Sequence, residues 1–283
     1  MSHQDFSWSV PVMRVGYAGR ALVYVVVGGF SLYAIWRGGQ GTGTSEALQQ
    51  LETTTGGGVV LFLLFLGLLS YAVWRIVDAI WDLEDYGRDG KGIVARIAMV
   101  VTGLLHGVVG LLAFSLLFLG GSSGGGSSIA QATGRVMSWP AGIWIVGLAG
   151  LAVLGAGIYY IHKGWAQTYR EHLRANRFTL HYNWVLRSGL IAHGIVITII
   201  GAFFLVAAWQ ADPSEAGGVG QTFGWLSQQI YGRILVTAIA LGLLAFALFC
   251  AVNAAYRIVP KAKSPDIETV AHRVKRKAGA QAS

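Results

Sequence analysis

Of 283 residues only one is cysteine, five are proline and 12% carry a charge. The single thiol, Cys250, excludes an intrachain disulfide; set in an apolar run, it reads as a buried inert side chain and leaves the redox compartment open. No long apolar run is broken by proline, so the interrupted helices that many transporters use for binding are missing. Local chemical motifs are missing as well. There is no phosphate loop, dinucleotide fingerprint or serine-nucleophile turn, and the glycine-rich GGSSGGGSS reads as flexible linker. The seven histidines never fall at ligand spacing with cysteine or carboxylate, so neither a metal nor another cofactor is expected. Asp82, Glu84, Asp85 and Asp89 crowd together without the order of a calcium loop and read as a solvated loop. With no nucleophile and base to assemble, the chain is not expected to be an enzyme.

What the chain has in abundance is apolar surface. A hydrophobic fraction of 54%, with 40 glycines and 10 tryptophans, is the composition of a membrane protein, in which glycine permits close helix approach and tryptophan collects at the interface. Six runs approach the roughly 20 residues that cross about 30 Å of hydrocarbon. They are Val15 to Trp36, Val59 to Ile80, Ile97 to Leu119, Ala141 to Ile161, Ser188 to Trp209 and Ile234 to Ala255. The start, MSHQDFSWSVPVMR, lacks the basic and short apolar regions of a secretory signal, so an uncleaved first span is expected. Of the 21 Lys and Arg residues, 18 fall in the termini, the even connections and the span ends beside them; Arg37, Arg135 and Arg233 lie on the other side. Basic residues are retained in the cytoplasm, which predicts that both termini, residues 1–13 and 257–283, are cytoplasmic. A net charge of +8 without basic stretches interleaved with aromatics points to the lipid bilayer and its anionic headgroups as partners rather than to nucleic acid. The tail with HRVKRK either leans on those headgroups or stays disordered.

The chain repeats itself. Arg14, Arg96 and Arg187 each open an odd span, and each precedes a glycine, Gly28, Gly110 or Gly201, by 14 residues. The even spans end on Asp78 and Trp81, His162 and Trp165, and Asn253 and Tyr256 at a common spacing of three. The copies are 14–81, 96–165 and 187–256. Two spans per copy make them parallel repeats, related by an axis along the membrane normal. The expected fold is therefore an all-α membrane protein of six transmembrane helices, arranged as three parallel two-helix repeats around a pseudo-threefold axis.

RVGYAGRALVYVVVGG, RIAMVVTGLLHGVVG and RSGLIAHGIVITIIG, with the even-span ends GLLSYAVWRIVDAIW and GLLAFALFCAVNAAY, resemble an uncharacterised group of bacterial integral membrane proteins, a domain of unknown function built from three tandem two-helix repeats. The middle even span, GLAVLGAGIYYIHKGW, departs from that pattern. The resemblance implies a bacterial cytoplasmic (inner) membrane and no activity. Mitochondrial carriers share the layout of three parallel pairs, and SEALQQL, SIAQATGRVMSW and GQTFGWLSQQI suit short amphipathic helices in the outer loops, but the carrier signature is absent.

Ionisable residues inside a span are the functional candidates, since charge is costly in hydrocarbon. Asp78, the one carboxylate in or near a span, is expected to pair with Arg75 or Arg14. His106 shares a helix face with Gly103, Gly107 and Gly110, so it should face protein and hydrogen-bond a neighbouring helix. His193 stands in the third copy where Arg20 stands in the first, and both are expected to reach toward the cytoplasmic interface or to ring a cavity. Arg14, Arg96 and Arg187 are expected as anchors that snorkel or pair with even-span ends. Two functions compete on these residues. One is a non-catalytic membrane protein acting through packing, a second copy or another membrane partner; the other is a small-solute or anion transporter or channel with a path along the axis lined by Arg20, His106 and His193.

Overall fold

The computed structural model describes residues 6–119, 127–262 and 269–274, which excludes most of the GGSSGGGSS linker and the last residues of the basic tail. Six long helices lie where the apolar runs are: α1 (Ser9–Trp36), α3 (Gly57–Trp81), α4 (Gly90–Phe118), α6 (Gly142–Ala166), α8 (Asn183–Gln210) and α10 (Gly232–Tyr256). All six are long and apolar enough to cross a membrane. At about 1.5 Å per residue the shortest, 25 residues, measures roughly 38 Å, so each spans the hydrocarbon with a turn to spare or with tilt. The outer connections hold the short helices α2 (Thr44–Glu52), α5 (Ser127–Met137) and α9 (Val219–Ser227), at the three amphipathic stretches; α7 (Arg177–His181) lies on the side of the termini. Among the described residues there is no β-sheet, only two isolated bridges.

Each even helix packs on the next odd helix through the repeat glycine. A Cβ on Gly110 of α4 would lie 3.2 Å from Leu68 of α3, and one on Gly28 of α1 would lie 3.0 Å from Leu244 of α10. Gly201 of α8 packs in the same way on Leu154 of α6. Without a hydrophobic drive between helices in lipid, such van der Waals contact between small residues is what holds spans together. Within the first and third copies the fit is closer still: a Cβ on Gly19 would lie 2.5 Å from the Cα of Gly67, and Gly189 and Ala192 meet Phe246 and Gly242 likewise.

The middle copy breaks the pattern. Counting from Arg14 and Arg96, Gly16 and Gly19 correspond to Ala98 and Val101; counting from the helix starts Gly57 and Gly142, Gly67 and Tyr71 correspond to Ala152 and Ala156. All four of these middle-copy residues are exposed, and α4 and α6 do not pack on each other. The helices run in the spatial order α4, α3, α1, α10, α8, α6, so the expected threefold ring is open at one seam. The cause is local: a branched valine stands where the other copies place Gly19 or Ala192 against a glycine. In this helix register Lys163, not His162, stands against Asp78 and Asn253.

Two buried clusters fill the bundle. One, toward the short outer helices, gathers Val23, Val27, Leu64, Leu68, Val196 and Leu243. The other lies nearer the termini and includes Met13, Tyr17, Tyr71, Trp74, Leu186 and Phe249. Part of the tail joins it: Val270 is 1% exposed, its N–H donates to the carbonyl of Leu173 at 2.9 Å, and Thr269 bridges Arg174. Thr269 and Val270 are thus docked on protein, while residues 275–277 of HRVKRK lie outside the described residues.

Candidate functional site

Arg20 lies one and a half turns into α1 from Arg14, and its side chain is 3% exposed. It does not snorkel. Its Nη1 donates to the hydroxyl of Tyr71 on α3 at 3.0 Å, and its Nη2 lies 3.4 Å from Nε2 of His193 on α8. The guanidinium sits over the rings of Tyr71, Phe246 and Tyr24, its carbon 5.1 to 5.9 Å from their centroids, a cation–π enclosure. His193 stacks on Phe246 with ring centroids 3.8 Å apart, and Tyr24 and Tyr160 pack edge-on against it. His106 of α4 packs on Tyr71 with centroids 4.9 Å apart. Its Nδ1 lies 2.8 Å from the carbonyl of Thr102 one turn back, so it bonds its own helix and not a neighbour as expected. All six long helices therefore contribute to one cluster, and Arg20, His193 and His106, selected from sequence, are brought together.

The chemistry of this cluster is set by what its donors find. A guanidinium only donates, so His193 accepts on Nε2 and carries its proton on Nδ1. That Nδ1 and the Nε of Arg20 are both buried without a hydrogen-bond partner among the described residues. The Tyr71 hydroxyl accepts from two cations, because Arg75 Nε also donates to it at 3.1 Å. Among the described residues Arg20 pairs with no carboxylate and takes its contacts from a phenol hydroxyl, an imidazole and ring faces.

Toward the termini the cluster runs into an ion-pair lattice. Arg75 Nη1 donates to Asp78 Oδ2 at 3.3 Å and lies 3.9 Å from Glu84 Oε2. Arg257 donates to Glu84 Oε1 at 2.6 Å and to Asn253 Oδ1 at 2.7 Å, with its guanidinium over the Tyr17 ring. Asp78 accepts the Glu84 N–H at 3.1 Å. Asp78 thus pairs with Arg75, as expected, while Arg14 is exposed. Glu84, expected in a solvated loop, is 3% exposed and sits at the centre of the lattice. Burial favours its neutral acid, yet the charges of Arg257 and Arg75 outweigh burial and hold the carboxyl down at about 2. Of its acidic neighbours, Asp82 accepts the N–H groups of Tyr86 and Gly87, and Asp89 caps α4. Nothing short-range reveals Glu84: its partner Arg257 lies 173 residues away. The repeat anchors divide. Arg96 donates to the carbonyls of Ala79 and Ile80, and Arg187 lies 4.7 Å over Trp165, each closing the end of the preceding even helix. Among the described residues no three His, Cys, Asp or Glu side chains converge as metal ligands would.

Six apolar helices in repeated pairs, with Arg20 buried among them, define a multi-pass helical membrane protein. The chain belongs to the family described as Domain of Unknown Function DUF1206, whose model matches three times in tandem, at residues 15–82, 97–167 and 188–257. It is similar to "Uncharacterized protein YxxB" of Bacillus subtilis (strain 168), at 26% identity over 254 residues, 88% of this chain and 92% of that protein. No solved structure matches the chain.

Proposed function

We propose that the protein is a non-catalytic membrane protein that binds an organic anion inside its helix bundle, at Arg20 and His193. The observation that carries this reading is a buried guanidinium with no carboxylate partner in its hydrogen-bond set, whose Nε, like Nδ1 of the adjacent His193, is buried without a hydrogen-bond partner among the described residues. A charge so placed is costly unless paired, and a bound carboxylate supplies the missing partner. The lattice adjoining it pairs Arg75 with Asp78 and Arg257 with Glu84, and Arg20 stands outside those pairs. The apolar cluster of Val27, Leu64, Leu68 and Leu243 fills the bundle on the outer side of the site, which favours binding over an open channel along the axis. Acetate, benzoate and palmitate, titrated separately against the purified protein, are expected to include at least one that raises its melting temperature. A ligand at ten times its Kd adds about 1.4 kcal/mol by mass action. Arg20→Gln is expected to abolish the shift. If none of the three stabilises the native protein, or if the variant responds equally, the cluster is structural and the protein acts through packing or partner contacts.

The same reading places the ion-pair lattice and both termini on the cytoplasmic side of a bacterial inner membrane, supported by the excess of Lys and Arg on that side. A phosphatase reporter, active only outside the cytoplasm, should stay silent when fused after Ser283 and be active when inserted in the 37–43 connection; the reverse pattern inverts the topology.

A further inference from the structure

We propose that the anion taken up by Arg20 and His193 is the carboxylate of a single-chain amphiphile, a fatty acid, which reaches the site sideways from the bilayer through the seam between α4 and α6. The proposal rests on the anion-binding reading above and deepens it. Three sides of the site are closed. On the outer side stand Val23, Val27, Leu64 and Leu243, all buried, and toward the termini stand the Arg75–Glu84–Arg257 lattice and the buried Tyr17 and Trp74. Around the bundle, α3, α1, α10 and α8 pack on one another without a break. The seam is the remaining side.

Its two walls lead to the site. His106 on α4 touches Tyr71, and Tyr160 on α6 touches His193, so each wall contacts one of the two hydrogen-bonding partners of Arg20. In the first and third copies an aromatic ring, Tyr71 or Phe246, closes the corresponding position and covers Arg20. The middle copy has Ala156 there, exposed, and a Cβ on the adjacent Gly155 would meet no atom within 4 Å. The aromatic enclosure therefore has no ring at its third position, and because Arg20 is only 3% exposed the two walls of the seam must part there to admit a ligand. What the seam presents to lipid is apolar, with Val101, Leu105 and Val108 on α4 and Leu148 and Leu151 on α6 exposed.

These features fix the chemistry of the occupant. One guanidinium without a carboxylate partner, beside an imidazole, calls for a single negative charge. The site lies inside the span, so the charged group must end the molecule; a phosphodiester would have to bury the rest of its headgroup beyond the phosphate. From Thr102, which corresponds to Arg20, the seam runs 16 residues to Phe118, about 24 Å of helix, longer than the roughly 15 Å of one leaflet. A single extended chain fits along it.

The test is displacement of radiolabelled palmitate from the detergent-purified full-length protein. Saturable binding of one palmitate per chain is expected, with acetate displacing it only at a concentration at least about a hundredfold higher, the loss of as few as three or four buried methylenes. Hexadecanol and dipalmitoyl phosphatidate should compete more weakly than unlabelled palmitate. Ala156→Phe, which restores the missing wall at an exposed position, should weaken palmitate about tenfold and leave acetate unchanged, whereas Arg20→Gln should lose both. Equal affinity for acetate and palmitate, palmitate binding untouched by Ala156→Phe, or stronger competition from hexadecanol or phosphatidate would overturn the lateral, single-chain inference while leaving the anion site standing. Absence of binding by acetate and palmitate alike removes the site itself. If Arg20→Gln does not fold, Ala156→Phe still decides the matter, because its side chain points at no packed neighbour.

Discussion

Glu84→Gln is expected to destabilise the protein by about 3–5 kcal/mol, the usual consequence of removing one partner from a buried ion pair. The wild-type carboxylate has a side chain with no exposed surface, holds Arg257 at 2.6 Å and stands 3.9 Å from Arg75. Glutamine fills the same volume and leaves the Arg257 guanidinium buried without its counter-charge. The comparison that isolates the charge is the double variant Glu84→Met, Arg257→Met, which removes both ions. It should recover most of the loss, since apolar replacement of a buried pair is often neutral. Thermal unfolding in detergent measures both. If Glu84→Gln unfolds within a degree of the wild type, Glu84 is not the centre of the lattice.

The same carboxylate gives stability a pH dependence of definite sign. The folded state holds Glu84 down at about 2 against an unfolded value near 4.3, so its contribution is present above about pH 4.5 and is lost as pH falls toward 2. His172 opens a second, higher window. Burial first, and then the charge of Arg257, push it down from 6.5 to about 4, so the unfolded chain binds a proton before the folded one and stability declines as pH falls from about 6.5 to 4. Wild-type melting temperature should therefore drop in two stages on acidification. Glu84→Gln should keep the upper stage and lose the lower.

The spans and the repeat were legible in the chain because each rests on local properties: apolar length, glycine spacing and the recurrence of Arg14, Arg96 and Arg187. Arg20, His106 and His193 were legible as candidates because charge in hydrocarbon is conspicuous. That the three face one interior was expected; their particular contacts were not, for those depend on three helices far apart in sequence. Glu84 was misassigned because acidic residues beyond a helix end are usually solvated, and only the return of Arg257 buries it. The seam was half legible. The middle copy visibly departs from the pattern at GLAVLGAGIYYIHKGW, but that the departure separates two helices becomes evident only when Val101 and Ala152 are set opposite each other.

Gly19→Val tests that reading of the seam, since it installs in the first copy the residue the middle copy carries. A Cβ at Gly19 would lie 2.5 Å from the Cα of Gly67, and backbone on the far side cannot give way as a flexible side chain would. Helix α1 must then move off α3, and the hydrogen bond from Arg20 to Tyr71, formed across the same interface one residue further along α1, is lost with the contact. The expected cost is about 3 kcal/mol or more, at the upper end of overpacking penalties because a polar interaction goes with it. The converse change, Val101→Gly, lies at a half-exposed position that packs on no neighbouring span, so it should cost only about 1 kcal/mol of helix propensity. Thermal unfolding of the two variants side by side reads the difference directly. Equal losses would mean that the middle copy's valine is held as tightly as the first copy's glycine, and that the seam is closed. A large loss for Gly19→Val alone leaves one physical account of the open ring: two of the three copies hold their helices together through a pair of small residues, and the third has given up that contact at its lipid-facing surface.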